Sequence, residues 1–226
     1  MISSRPVVIY FFTFLLAFCS LFYELVYAQV LAVCLGGTKN QYLTIICLFT
    51  CALGFGSIVQ GKLRQRFPLR KTFFTIEVLL TLLGSTGPFI ITWILQPGTS
   101  PFWSTIAVFS AYFIVVVIGF LSGFEIPSLF AMLENSQGKI LAFDYFGMLI
   151  ASVAFPFYFL PELGTAASTL VVAGSNVMGL IWLRSDKPNL YVNWILYGAC
   201  AAYIAFVISK KEELDLFLSH LYLGGM

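Results

Sequence analysis

The chain has 226 residues, of which 60% are hydrophobic and 10% charged, with a mean hydropathy of +0.94 and a formal charge of +2. A water-soluble domain carries roughly 25% charged and about 45–50% apolar residues, so this composition excludes a soluble core and makes lipid the solvent. Nucleic acid is not an expected partner, because the one dense basic run, residues 62–71, is explained by membrane orientation.

A bilayer core takes about 20 apolar residues per helix. The apolar runs predict seven transmembrane helices, at 7–35, 42–61, 72–95, 102–130, 140–160, 165–183 and 190–209. The expected class is therefore an all-α polytopic membrane protein, with a transmembrane domain over residues 1–210. Its first run follows Arg5 as a signal peptide would, but it continues past Ala28 without a small-residue cleavage site and reads as an uncleaved helix. Gly36 to Asn40, Gln96 to Pro101, Glu134 to Gly138 and Arg184 to Asn189 punctuate the runs. The break from Pro161 to Gly164 is the tightest, which predicts a close antiparallel hairpin between the fifth and sixth helices.

Nine of the twelve basic residues fall on the side of the amino terminus: Arg5, five in the 62–71 loop, Lys139, Arg184 and Lys187. Lys39, Lys210 and Lys211 fall on the other. The bias predicts a cytoplasmic amino terminus. The odd number of spans places the carboxyl tail outside, against the pull of Lys210 and Lys211. Residues 211–226 alternate acids with Leu214, Leu216, Phe217, Leu218 and Leu221, and read either as a short amphipathic interfacial helix or as a disordered tail.

Small residues recur at helix-packing spacing in Gly119-x-x-x-Gly123, Ala52-x-x-x-Gly56 and Ser175-x-x-x-Gly179, and Asp144, Gly147 and Ala151 share one helix face expected to look into the bundle. The five cysteines, Cys19, Cys34, Cys47, Cys51 and Cys200, lie in apolar runs without a Cys-x-x-Cys pair, and His220 is the sole histidine. They read as buried, inert thiols, with no disulfide framework, metal site or cofactor expected.

Carboxylates inside apolar spans cost about 2.5–3.5 kcal/mol each on insertion scales, and those that persist face the interior and have partners. Glu77 opens the third span beside the basic loop and reads as an interface ion pair with Lys71 or Arg70. Glu125 and Asp144 flank one short loop and can approach each other, which would raise one of the two or hold a cation between them. Glu24 stands between Tyr23 and Tyr27 with no basic partner in the apolar spans. The candidate ligand-binding residues are Glu24, Glu125, Asp144, Tyr23, Tyr145 and Asn176, forming a cation site or proton path with tyrosine rings and hydroxyls. The alternative is that these acids tie helices together, since Pro127 frees a backbone carbonyl beside Glu125.

The ordered motifs Tyr23-Glu24-Leu25, Gly36-Gly37-Thr38, Gly123-Phe-Glu-Ile-Pro-Ser-Leu129, Asp144-Tyr-Phe-Gly147, Ala151-Ser152, Phe155-Pro156 and Leu160-Pro-Glu-Leu-Gly164, with Asn176, resemble the membrane domain of bacterial membrane-anchored spermidine synthase-like proteins. The resemblance covers residues 10–183. In that family a soluble aminopropyltransferase domain of Rossmann-like fold follows the membrane domain, and the resemblance implies decarboxylated S-adenosylmethionine and putrescine as substrates. A second stretch, Gly61-Lys-Leu-Arg-Gln-Arg-Phe-Pro-Leu-Arg-Lys71, resembles the cytoplasmic loop of major facilitator transporters, with Gln65 where that pattern has Asp and Pro68 where it has Gly.

Because the chain ends at Met226, the expectation is a non-catalytic membrane subunit or scaffold, not an enzyme, working with a protein partner or as a homo-oligomer. The alternative is transport or binding of a polyamine or other organic cation.

Overall fold

The computed structural model describes residues 6–37, 39–96, 101–133, 136–184 and 190–223. Among them every regular element is a helix: α1 Pro6–Leu35, α2 Lys39–Leu63, α3 Leu69–Ile94, α4 Pro101–Ser122, α5 Glu125–Met132, α6 Gln137–Ala154, a π-helical segment Phe155–Leu163, α7 Gly164–Arg184, α8 Leu190–Ser209 and α9 Lys211–Leu223. Five stretches are long and apolar enough to cross a membrane, at 7–35, 39–63, 71–94, 102–132 and 137–181, and Tyr197–Ser209 is a shorter apolar helix.

α1 is the axis of the bundle. A helix that is apolar on all sides belongs in the interior, and Phe12, Leu16, Phe22, Tyr23, Val26, Tyr27 and Leu31 are buried along it, while Val7, Phe11 and Val33 are exposed. α6 runs alongside α1 in the same sense, with Tyr10 stacked on Phe143 at 5.4 Å and Phe22 edge-on to Phe155 at 5.2 Å. α3 runs in that sense too: Phe73 meets Phe12 at 6.0 Å, and Tyr27 donates to the Leu83 carbonyl at 2.6 Å. α7 runs the opposite way, with Cys19 beside Val172 and Gly179 against Leu15 and Phe12.

α2 and α4 are parallel to each other and share a seam of small residues. A Cβ on Gly119 would lie 2.7 Å from the Phe49 carbonyl oxygen, and one on Gly123 would lie 3.0 Å from the Gly56 Cα and overlap the Leu53 carbonyl. The packing expected from the Ala52/Gly56 and Gly119/Gly123 spacings is therefore present, as is that of Gly179 on α1. Gly147 and Ala151 are also buried, with Gly147 set against the Phe14 backbone.

Three features differ from the expectation. The stretch expected as one helix at 102–130 breaks after Ser122, because Pro127 has no N–H to offer the Gly123 carbonyl; the Ser57 hydroxyl donates to that oxygen instead, at 2.8 Å. The turn near Pro161 is helical without a gap through the π-helical segment, and the chain reverses at Gly164, whose φ of +69° suits glycine. The reversal is close at its tip, where the Ser168 hydroxyl donates to the Phe159 carbonyl at 2.9 Å, but α6 before it packs on α1 rather than on α7, with Phe22 against Phe155 and Phe159. Finally, Cys47 and Cys51 are exposed rather than buried, because α2 turns Ile45, Phe49, Ala52 and Gly56 inward.

α9 closes the end of the bundle opposite the start of α1. Gln96 donates to the Leu221 carbonyl at 2.8 Å and Lys211 to the Glu162 carbonyl at 2.6 Å. The Asp215 carboxylate accepts from the Ala166 N–H at 3.1 Å and so caps the first turn of α7. Residues 224–226, with Arg5 and Lys187 of the basic side, lie outside the described residues.

Candidate functional site

Three carboxylates, the buried Glu77 and Glu125 and the half-buried Asp144, come together beside α1, and the sequence reading makes only Glu125 and Asp144 candidates. Glu77, on the third turn of α3, is 0% exposed, and neither carboxylate oxygen has a hydrogen-bond partner among the described residues. It lies on the inward stripe of α3 with Phe73, Leu80, Thr81 and Gly84, at spacings of three and four. The interface pair expected with Lys71 is not formed, since that lysine is exposed on the opposite side of the turn; the Arg70 side chain lies outside those described. The helical period of Phe73, Thr81 and Gly84 was the signal for Glu77, and its nearness to the basic loop masked it.

Glu125 is the first residue of α5 and 6% exposed. The chain break that frees the Gly123 carbonyl also sets this carboxylate at a helix start, where the α5 dipole favours it. The charges of Glu77 and Asp144 both act on Glu125. Asp144 is half-buried, on the α6 face that carries Gly147 and Ala151, and marks the open side of the cluster.

Tyr23 and Asn176 complete the group. The Tyr23 ring rests on Gly84, whose missing side chain makes room: a Cβ there would lie 2.5 Å from the ring. The Tyr23 hydroxyl has no hydrogen-bond partner among the described residues, and it feels the charges of Glu77 and Glu125. Asn176, 2% exposed, donates from Nδ2 to Thr81 Oγ1 at 2.8 Å, and the Thr81 hydroxyl donates to the Glu77 main-chain carbonyl at 2.8 Å. The Asn176 side chain lies against the Glu77 carboxylate outside hydrogen-bonding geometry, and its Oδ1 has no donor among the described residues.

The other two candidates stand apart. Glu24 is 8% exposed but exchanges no interaction with the three acids among the described residues, because one helical step past Tyr23 turns it to a different face. Tyr145 is 62% exposed on the outer face of α6, next to Phe146 and Leu149. Among the described residues no cluster of His, Cys, Asp and Glu has the arrangement of a metal site.

At the other end of the bundle a cavity of about 370 Å³ is lined by Gln29, Val33, Thr92, Leu160, Asp215 and Ser219. Burial pushes the Asp215 carboxyl above its ordinary range, and the N–H groups of Ala166 and Thr165 draw it partly back.

Fold and site together define an all-helical protein with an acidic cluster buried among α1, α3, α5, α6 and α7. The chain is similar over most of its length to polyamine aminopropyltransferases. It is 30% identical over 196 residues to polyamine aminopropyltransferase 2 of Ralstonia nicotianae, covering 83% of this chain and 37% of that protein. It is 26% identical over 221 residues to the polyamine aminopropyltransferase of Oceanobacillus iheyensis, covering 92% and 41% respectively. To that of Leptospira interrogans it is 28% identical over 180 residues, covering 77% and 34%. The chain thus spans a little over a third of the length of the curated relatives it matches. No family model and no solved structure matches it.

These relatives agree with the spermidine synthase-like resemblance and correct the functional expectation. The non-catalytic subunit and the judgement that the protein is not an enzyme both rested on where the sequence ends. Relatives that match most of the chain are named as transferases, so the end of the sequence carries no such conclusion. The transport alternative gains no support from them.

Proposed function

We propose that the protein is a polyamine aminopropyltransferase and that this chain is its membrane-embedded part. The observation that carries the reading is the similarity to proteins of that name over 74–92% of the chain. The exposed surface supports a bilayer setting: Phe55, Phe109, Phe113, Phe146, Leu149 and Phe157 all point outward, and an apolar belt of this extent has lipid as its natural solvent. The five apolar stretches, one of them doubling back at Gly164, together with α8 make seven passes. The basic loop 62–71 supports a cytoplasmic amino terminus, with α9 along the opposite interface.

In this reading the enzyme handles its amine at the membrane. The family likeness implies an aminopropyl group taken from decarboxylated S-adenosylmethionine and given to putrescine. Expression in a bacterial strain that makes putrescine but no spermidine tests it. Spermidine should appear in the cell extract above the empty-vector background. A strain that stays free of spermidine while its membrane fraction contains the protein would refute the proposal.

A further inference from the structure

The cluster formed by Glu77, Glu125, Asp144, Asn176 and Tyr23 has an imbalance that its own residues do not resolve. Its carboxylates accept hydrogen bonds and donate none when ionised. Among the described residues no lysine or arginine pairs with any of the three, and neither Glu77 oxygen has a donor. Two further polar atoms, Asn176 Oδ1 and the Tyr23 hydroxyl, are buried beside the acids without a partner. Buried polar groups are nearly always satisfied, and each exception asks for a reason. Three of the helices that carry such atoms, α1, α3 and α7, meet here: Asn176 bonds Thr81 one turn from Glu77, and the Tyr23 ring packs on Gly84 of the same helix.

We propose that these five residues form an intramembrane binding site for one protonated primary amine group of a diamine or polyamine. A primary ammonium carries three N–H donors and no acceptor, which complements the carboxylate and amide oxygens and the lone pairs of the Tyr23 hydroxyl. A single proton shared between two carboxylates would leave Asn176 Oδ1 bare. A quaternary ammonium brings charge but no N–H, and leaves every one of these acceptors unmet. The half-buried Asp144 gives the direction of entry, from the side where α5 gives way to α6, and provides a second charge along an extended diamine. The Tyr23 ring, held on Gly84, adds a π-face for the cation. The choice of amine rests on the aminopropyltransferase reading; the existence of the site rests on the geometry.

Isothermal titration of the full chain in lipid nanodiscs with putrescine, and separately with spermidine, tests the site. Saturable binding is expected, weakened about tenfold or more by Glu77→Gln and by Glu125→Gln, each of which removes a charged acceptor. Tyr23→Phe keeps the ring and should weaken binding several-fold through the hydroxyl alone, which covers the case where a glutamine variant fails to fold. Glu24→Gln should leave affinity unchanged, and tetramethylammonium should not compete. The inference is overturned if wild type shows no saturable binding, if Glu24→Gln weakens it as much as Glu125→Gln, or if tetramethylammonium competes as well as putrescine. Spermidine formation in membranes that carry the whole protein separates the two ideas: product there without binding here overturns this site and leaves the transferase reading standing.

Discussion

Replacing Gly123 by alanine places a methyl group where α2 and α4 have their backbones in contact. The new Cβ would sit 3.0 Å from the Gly56 Cα and inside the Leu53 carbonyl oxygen. Neither atom belongs to a flexible side chain, so the helices must part by about an ångström to restore ordinary contact. A gap of that size forfeits roughly a quarter to a half of the dispersion energy along the seam. It also stretches the hydrogen bond from Ser57 to the Gly123 carbonyl, now 2.8 Å and worth about 0.5–1.5 kcal/mol. The sum is a loss of about 1–3 kcal/mol. For a chain of this size that lowers the midpoint of thermal unfolding by about 2–4 °C per kcal/mol. Fluorescence-detected unfolding in mild detergent reads it directly. Gly56→Ala should cost a similar amount, and the double variant less than the sum, because helices already parted for one methyl accommodate the second. Gly54 has nothing within 4 Å of its Cβ position, so Gly54→Ala should be neutral or stabilising by up to about 1 kcal/mol through helix propensity alone. A Gly123→Ala variant as stable as wild type would refute the proposed seam.

Gly164→Ala should release α9, because its Cβ would overlap the Asp215 carboxylate at a backbone φ of +69°; faster amide exchange over 211–223, with α1 unaffected, is the expected readout. Asp215 also sets a pH dependence. Its carboxyl is held above the ordinary value of 3.8, so the stability it contributes is full below that value and is lost as the pH rises through the raised one. The docking of α9 should weaken with rising pH across that window, and Asp215→Asn should flatten the slope. Glu77→Met should raise the unfolding midpoint in the absence of amine, since it removes two buried oxygens with no hydrogen-bond partner among the described residues, each worth about 1–3 kcal/mol of desolvation; an unchanged or lower midpoint would show that the carboxylate is already satisfied.

Much of this architecture is legible in the residues because long apolar runs leave few alternatives to helices. The apolar runs place the long helices, and the small-residue spacings of Ala52, Gly56, Gly119 and Gly123 mark the α2–α4 seam. Pro127 announces the freed carbonyl at Gly123, although only the structure shows Ser57 meeting it. What escapes the sequence depends on distant packing. The segment before Gly164 is drawn onto α1 by Phe22, which meets Phe155 edge-on from more than 130 residues earlier in the chain. The carboxylate of Glu77 looks like a partner for Lys71 until the stripe through Phe73, Thr81 and Gly84 turns it inward. Tyr145 follows Asp144 directly, yet one helical step carries it to the outer surface, as it carries Glu24 away from Tyr23. Adjacent positions in a motif need not share a site when the period is 3.6 residues.

The central claim is that this membrane chain belongs to an enzyme that moves aminopropyl groups. The most direct measurement supplies washed membranes containing the protein with decarboxylated S-adenosylmethionine and isotopically labelled putrescine, then follows label into spermidine by mass spectrometry. The account predicts labelled spermidine at a rate proportional to the amount of protein and absent from membranes of the same strain without it. Membranes rich in folded protein that leave the putrescine unchanged would contradict it.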